Sequence, residues 1–123
     1  MNKDPLITIV DDDNTVRGAL ESLVTSHGFK ACTFASANAF LQSSLVPETS
    51  CLISDVQMPG IDGVELQNRL TNLGLSIPTI FITAYPNDEI RTRVLSAGAI
   101  CLLYKPFDEQ TLLRCIEDAL NRG

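Results

Sequence analysis

Several features that would define other classes of protein are missing from this 123-residue chain. No stretch approaches the roughly 18 consecutive apolar residues that a transmembrane helix needs, and residues 1–5 do not form a signal peptide. Nine basic residues stand against fifteen acidic ones, so the net charge is −6 and the basic surface typical of nucleic-acid binding is absent. We therefore expect a cytoplasmic protein in which this domain contacts neither membrane nor nucleic acid.

Metal-binding and disulfide motifs are also missing. The four cysteines form no C-x-x-C pair, and three of them fall in or beside apolar runs. We expect all four to be reduced and to act as small hydrophobic residues. The single histidine, His27, falls where a predicted helix ends and is interpreted as a solvated surface residue. The cysteines are Cys32, Cys51, Cys101 and Cys115.

Short apolar runs and helical patterns alternate along the chain. Alternation at this spacing predicts βα units, which give a parallel sheet with right-handed crossovers and helices on both faces. We expect one α/β domain over residues 1–123. Strands are predicted at 6–10, 29–34, 51–54, 77–82 and 100–104; helices begin near residues 14, 36, 62, 85 and 108; residues 47–50 are expected to form a loop.

Polar residues follow four of the predicted strands. Asp11 and Asp12 end the first strand, Asp55 follows the third, Thr83 the fourth and Lys105 the fifth. Parallel strands share one direction, so these side chains converge at one edge of the sheet, where open α/β sheets bind ligands. Any one of these residues alone is typical of a helix cap, but the whole set indicates a functional site.

The convergent groups suit phosphoryl transfer. Three carboxylates held together repel one another, and a divalent cation such as Mg²⁺ relieves that repulsion. We expect Asp55 to be the nucleophile and to form an acyl phosphate, while Lys105 neutralises one phosphoryl oxygen and the Thr83 hydroxyl donates to another. Backbone N–H groups after Asp55 and near Ala84 are candidates for the third oxygen.

With these residues in place, the sequence resembles receiver domains of the response-regulator (CheY-like) family, and most closely those of FixJ-type regulators. The resemblance covers essentially the whole chain. The matching segments are Val10-Asp11-Asp12, residues 54–63 (Ser-Asp-Val-Gln-Met-Pro-Gly-Ile-Asp-Gly), Ile82-Thr83-Ala84, Ala97-Gly98-Ala99 and residues 104–107 (Tyr-Lys-Pro-Phe).

The resemblance implies a flavodoxin-like (βα)5 fold in three layers, with strand order 2-1-3-4-5. It implies a signalling domain rather than an enzyme, in which Asp55 accepts a phosphoryl group from the phosphohistidine of a sensor kinase. Mg²⁺ or Mn²⁺ would be bound by Asp12, Asp55 and the backbone carbonyl of Gln57, with Asp11 acting partly through water. Thr83 and Lys105 would be the switch hydroxyl and lysine, and the Lys105–Pro106 bond would be cis.

One position departs from the family pattern. Many members carry an aromatic residue three positions before the lysine, and here that position is Leu102. We expect Leu102 to repack into the space that Thr83 vacates, with a smaller change than usual. Signalling is expected on the face of helix 4, strand 5 and helix 5, through a homodimer. FixJ-type regulators usually continue into a DNA-binding output domain, so control of transcription is expected.

Two other functions compete with this interpretation. Asp11-Asp12-Asp13-Asn14-Thr15 also fits the opening motif of haloacid-dehalogenase-type phosphatases, with Asp11 as nucleophile and Asp13 as general acid. That hypothesis leaves Asp55 without a part to play. The other is a pseudo-receiver that binds a partner without any phosphoryl group.

Overall fold

A five-stranded parallel sheet forms the centre of the molecule, in a computed structural model that describes residues 4–85 and 87–122. The strand order β2-β1-β3-β4-β5 confirms the expected flavodoxin-like topology. The strands are β1 (Leu6–Val10), β2 (Lys30–Phe34), β3 (Cys51–Asp55), β4 (Thr79–Thr83) and β5 (Cys101–Tyr104).

Helices follow the strands and begin at side-chain caps. Asp13, Ser36 and Asp62 each accept backbone N–H groups at the start of a helix, as do Asn87 and Asp108. Pro86, next to the predicted start of the fourth helix near residue 85, lies outside the described residues. In the part of the chain that the structure describes, no helix has the length and apolarity to cross a membrane. The helices are α1 (Asn14–Ser26), α2 (Ala37–Leu41), α3 (Gly63–Asn72), α4 (Asp88–Ser96) and α5 (Glu109–Arg122).

The strands are buried on both faces, because alternate side chains face different helices. On one face, residues such as Ile9, Ile53 and Leu103 pack against α1 and α5. On the other, Leu52 packs with α2 and α3, and Phe81 packs with α3 and α4. These two helical layers around the sheet hold the carboxyl ends of β1, β3, β4 and β5 side by side.

Two local expectations were wrong. The predicted loop includes a short 3-10 helix at Val46–Glu48, which is closed by a hydrogen bond from the Thr49 hydroxyl to the Leu45 carbonyl (3.0 Å). Strand β4 begins at Thr79 rather than at residue 77. Proline has no N–H to donate to a sheet, so Pro78 contributes only its carbonyl, which accepts from the Leu52 N–H (2.9 Å).

The expectation that all four cysteines are reduced was also wrong. Cys101 on β5 and Cys115 on α5 form a disulfide, with their Cα atoms 6.3 Å apart. Cys32 and Cys51 are free, as expected. Sequence spacing did not predict the bond because the two cysteines are separated by 14 positions and meet only when α5 packs on the sheet.

Gly63, the first residue of α3, packs directly against β3 and β4. A Cβ atom there would collide with the Asp55 carbonyl oxygen and lie 2.9 Å from the Phe81 ring and 3.0 Å from the Ser54 hydroxyl. The Gly63 N–H also donates to the Val56 carbonyl (2.9 Å), which closes the loop between β3 and α3. The absence of a side chain at Gly63 therefore lets α3 approach the strand that ends in Asp55.

We expect Gly63→Ala to destabilise the protein by about 1–3 kcal/mol, the usual cost of overpacking. Gly18→Ala is the matched control, because a Cβ at this exposed position of α1 meets nothing within 4 Å. The control should stabilise the fold by roughly 0.5–1 kcal/mol through helix propensity. Urea denaturation of both variants tests the difference, and equal stabilities would contradict the close packing at Gly63.

Candidate functional site

Three carboxylates meet at the carboxyl edge of the sheet. One oxygen from each of Asp11, Asp12 and Asp55 lies within 4.8 Å of the others, so the predicted convergence of β1 and β3 is confirmed in geometry. Asp11 and Asp55 are buried, whereas Asp12 is exposed. Clustered carboxylate oxygens open to solvent on one side are the ligands that a hard divalent cation prefers.

Lys105, which follows β5, forms ion pairs with two of these carboxylates, those of Asp11 and Asp55. Its ammonium nitrogen lies 3.4 Å from Asp11 Oδ2 and 3.5 Å from Asp55 Oδ2. The Lys105 side chain is 20% exposed, so these ion pairs are less screened than surface ones. The Lys105–Pro106 bond is cis, as the resemblance implied.

The carboxylates and the ammonium change one another's pKa. Burial and then the charge of Asp11 raise the pKa of Asp55 above its ordinary 3.8, although the charge of Lys105 and the Gln57 N–H oppose the rise. Burial alone lowers the pKa of Lys105, but Asp55 and Asp11 outweigh it, so the pKa of Lys105 is raised. The lysine therefore stays charged, while burial and the charge of Asp11 disfavour the ionised form of Asp55.

The loop after β3 is shaped around Asp55. The Gln57 N–H donates to Asp55 Oδ1 (3.3 Å), and the buried Met58 side chain anchors the loop in the core beneath α2 and α3. Gly60 has a φ of +76°, which favours glycine. The predicted role of the Gln57 carbonyl as a metal ligand stays a prediction.

Thr83 ends β4 one residue after Ile82, the β4 partner of Asp55, and its hydroxyl accepts the Tyr85 N–H (3.0 Å). The Thr83 side chain is fully buried, whereas Tyr85 is 65% exposed. A cavity of about 310 Å³ opens here, with room for a small anion beside Asp55. Its lining includes Asp12, Asp55, Gln57, Ala84, Tyr85 and Lys105.

Arg17 is a site residue that the sequence reasoning missed. Its Nη1 donates to the Asp11 carbonyl (2.7 Å), and its Nη2 donates to Asn14 Oδ1. Helical side chains lean toward the helix N-terminus, so an arginine one turn into α1 reaches back over the end of β1. The signal available in the sequence was the position of Arg17, six residues after Asp11 and near the start of the predicted first helix.

The contacts of Asp13 bear on the phosphatase alternative. Asp13 Oδ1 caps α1 by accepting the Thr15 N–H (2.8 Å) and the Val16 N–H (3.3 Å). The general acid of that hypothesis is therefore engaged as a helix cap. The third carboxylate in the group around Asp11 and Asp12 is Asp55, for which the phosphatase hypothesis has no role.

Leu102 and Tyr104 lie on β5, before Lys105. Leu102 packs against the cluster that contains Phe81, Ile90 and Val94, so it faces α4. Tyr104 is 37% exposed at the end of the strand. The structure therefore puts Leu102 in contact with α4 and leaves Tyr104 at the surface beside it.

The fold and the site define a class: a flavodoxin-like α/β domain with an acidic, lysine-bridged site at the carboxyl edge of its sheet. A family model for the response regulator receiver domain matches residues 7–117. The chain belongs to this family, and it is a receiver domain of two-component signalling. The phosphatase alternative is accordingly set aside.

Individual relatives agree with this assignment. The response regulator protein TmoT of Ectopseudomonas mendocina is 43% identical over 119 residues, which cover 97% of this chain and 54% of TmoT. The transcriptional regulatory protein FixJ of Bradyrhizobium diazoefficiens is 34% identical over 117 residues, which cover 95% of this chain and 57% of FixJ. The chain thus spans about half the length of these curated relatives.

Solved structures carry the same fold. The crystal structure of FixJ-N superposes with a TM-score of 0.89 at 33% identity and covers 99% of this chain and 98% of that one. The response regulator StyR gives a TM-score of 0.89 at 43% identity, covering 97% of this chain and 60% of StyR.

We expect Asp55→Asn to stabilise the protein at neutral pH by on the order of 1 kcal/mol. Because the folded-state pKa of Asp55 is raised above 3.8, wild-type stability falls as pH rises through that pKa, and the neutral amide avoids this loss. The two proteins should converge in stability near pH 4. Thermal melts from pH 4 to 8 test this, with Asp118→Asn on the exposed side of α5 as the control. A difference between wild type and Asp55→Asn that does not change with pH would contradict the expectation.

Proposed function

We propose that Asp55 is the phosphoacceptor of this receiver domain and that it takes the phosphoryl group from a phosphohistidine on a sensor kinase. One observation carries the proposal: Asp55 shares the edge of the sheet with Asp11 and Asp12, and it lies 3.5 Å from the ammonium of Lys105. A carboxylate in that position attacks phosphorus with the Lys105 ammonium already in place.

The donor set fits Mg²⁺, or Mn²⁺ in its stead. Asp11, Asp12 and Asp55 would hold the ion together with the backbone carbonyl of Gln57, and the exposed side near Asp12 leaves room for water ligands. When bound, the ion supplies positive charge to the phosphoryl oxygens. Binding would also relieve the repulsion between Asp11 and Asp55, which raises the pKa of Asp55.

The residues of the chain provide the rest of the chemistry. A carboxylate oxygen of Asp55 forms the new oxygen–phosphorus bond as the nitrogen–phosphorus bond of the donor breaks, and the released imidazole takes up a proton. Lys105 neutralises one phosphoryl oxygen, the Thr83 hydroxyl turns to donate to another, and the N–H near Ala84 is available for the third. His27 is exposed at the end of α1, away from this edge, so the phosphoryl group comes from another molecule.

The acyl phosphate carries about −1.5 to −2 charge at pH 7 in place of the −1 of the Asp55 carboxylate, and this added charge drives the switch. We propose that Thr83 gives up its contact with the Tyr85 N–H and that Leu102 repacks toward the space it leaves. Because Leu102 packs against Ile90 and Val94, this movement displaces α4.

The displaced surface is the face formed by α4, β5 and α5, which we call the output face. Leu95 is 54% exposed and Tyr104 37% exposed there, and Arg91 and Arg114 are also exposed. Apolar side chains flanked by arginines suit a homodimer interface that forms when the face is rearranged. FixJ is named a transcriptional regulatory protein, and we propose a transcriptional output for the whole protein to which this receiver belongs. The domain itself carries a net charge of −6 and does not contact DNA.

We expect acetyl phosphate with Mg²⁺ to transfer one phosphoryl group to the wild type and none to Asp55→Asn. Borohydride trapping followed by peptide mass spectrometry locates the acyl phosphate at Asp55. Asp118→Asn is the control and should be phosphorylated like the wild type. A label on Asp11 would support the phosphatase alternative, and no label on folded wild type would support a phosphate-independent receiver.

The switch is tested with beryllofluoride, a phosphoryl mimic, in the presence of Mg²⁺. It should strengthen dimerisation at least tenfold, a coupling of about 1.4 kcal/mol, and shift the amide resonances of α4. Thr83→Ala should bind the mimic but lose most of this response, whereas Thr83→Ser, which keeps the hydroxyl, should retain it. Unchanged sedimentation and unchanged α4 resonances in the wild type would contradict the proposed output face.

A further inference from the structure

The disulfide between Cys101 and Cys115 lies within the output face and has no part in the phosphoryl chemistry. Cys101 is the first residue of β5 and is half-buried; Cys115 lies in the middle of α5 and is buried. The bond therefore ties together two of the three elements that form the output face. Arg114 and Tyr104, which are exposed on that face, lie one and three positions from the bonded cysteines.

We propose that Cys101 and Cys115 form a reversible thiol–disulfide site, and that the bond, when closed, holds β5 against α5 and weakens the response of the output face to phosphorylation. The response that the bond would weaken belongs to the proposed function, so this part of the inference rests on that proposal. The cysteine pair is a separate observation, because it lies at the opposite end of β5 from Lys105.

The bond forms by exchange with a low-molecular-weight disulfide such as glutathione disulfide. The more exposed thiol, Cys101, attacks as the thiolate and forms a mixed disulfide, releasing one thiolate of the reagent. The Cys115 thiolate then attacks the Cys101 sulfur, which releases the second. Two cysteine thiols are oxidised and one small disulfide is reduced to two thiols, which take up the two protons lost by the cysteines.

The other two cysteines do not form a disulfide with each other. Cys51 is fully buried in β3, and burial raises its pKa to about 12, so its thiolate is scarce. Cys32 lies on β2, which is separated from β3 by β1. Neighbouring strands are about 4.8 Å apart, so Cys32 and Cys51 are roughly two strand spacings apart and cannot reach each other.

The position of Leu102 links the bond to the switch. Side chains alternate along a strand, so Cys101 faces α5 while Leu102, the next residue, faces α4. Within residues 4–85 and 87–122, β5 is an edge strand that pairs only with β4, so it is less constrained than the central strands. The closed bond coexists with Leu102 packed against Phe81 and Val94. A crosslink that holds this arrangement disfavours any other position of β5.

The experiment compares the chain in two redox states. Incubation with dithiothreitol or with glutathione disulfide, followed by alkylation under denaturing conditions, should leave four or two alkylated cysteines respectively. Peptide mapping should locate the new bond between Cys101 and Cys115. If no such bond forms at any ratio of glutathione disulfide to glutathione, the inference is overturned.

The functional arm measures dimerisation with beryllofluoride and Mg²⁺ in each state. We expect the strengthening of the dimer to be three- to tenfold smaller for the oxidised chain than for the reduced one. Cys101→Ser and Cys115→Ala should each abolish the dependence of dimerisation on the oxidant and behave like the reduced chain. The half-buried position of Cys101 tolerates a hydroxyl. Cys32→Ser is the matched control and should keep the dependence of dimerisation on the oxidant.

The outcomes separate this inference from the function on which it rests. If the reduced chain responds to beryllofluoride and the oxidised chain responds equally, the proposed function stands and the redox control is wrong. If the reduced chain does not respond at all, the proposed switch fails and the redox control fails with it. A loss of response in oxidised Cys32→Ser but not in oxidised Cys101→Ser supports the inference.

Discussion

The buried carboxylates of Asp11 and Asp55 lie side by side. The free-energy cost of keeping them there is the constraint on which the rest of the structure depends. The two carboxylates repel each other, yet the parallel sheet fixes the ends of β1 and β3 next to each other. Lys105 offsets part of that repulsion by contacting both carboxylates from β5. One ammonium shared by two buried carboxylates leaves negative charge uncompensated, and this residual charge is the physical reason for which we propose a divalent cation at the site.

The surrounding contacts keep this costly arrangement from relaxing. Asp11 is held through its carbonyl by Arg17 and through Oδ1 by the Asp13 N–H (2.8 Å). Asp55 is held by the Gln57 N–H, and α3 closes over its backbone at Gly63. The carboxylates therefore cannot turn away from one another at low cost, so a bound cation would be the cheaper way to relieve the repulsion. Phosphorylation of Asp55 would instead add negative charge to the site, and in the proposed switch Thr83 and the loop after it move in response to that charge.

The sequence was sufficient for the fold and for the meeting of Asp11, Asp12, Asp55 and Lys105 at one edge of the sheet, but not for contacts that arise only from packing. Strand ends identified Asp55, Thr83 and Lys105 because in a parallel sheet all strands end at the same edge. Cys101 and Cys115 were misjudged because their pairing depends on how α5 lies on β5, which no local pattern encodes. Arg17 was missed for a similar reason, since its partner is a backbone carbonyl. The start of β4 was placed too early, at residue 77, because Ile77 and Pro78 extend the apolar run beyond the hydrogen-bonded strand.

These contacts meet on β5, the shortest strand and an edge of the sheet. At the carboxyl end of β5 the chain continues into Lys105, which forms ion pairs with Asp55 and Asp11. At the amino end, Cys101 is bonded to Cys115 of α5. Leu102, packed on α4, lies between the two. A four-residue strand with one neighbouring strand among the described residues has few ladder hydrogen bonds to resist movement. In the proposed switch, a change of charge at one end of β5 and a change of covalent bonding at the other would therefore act on the same small displacement of the output face.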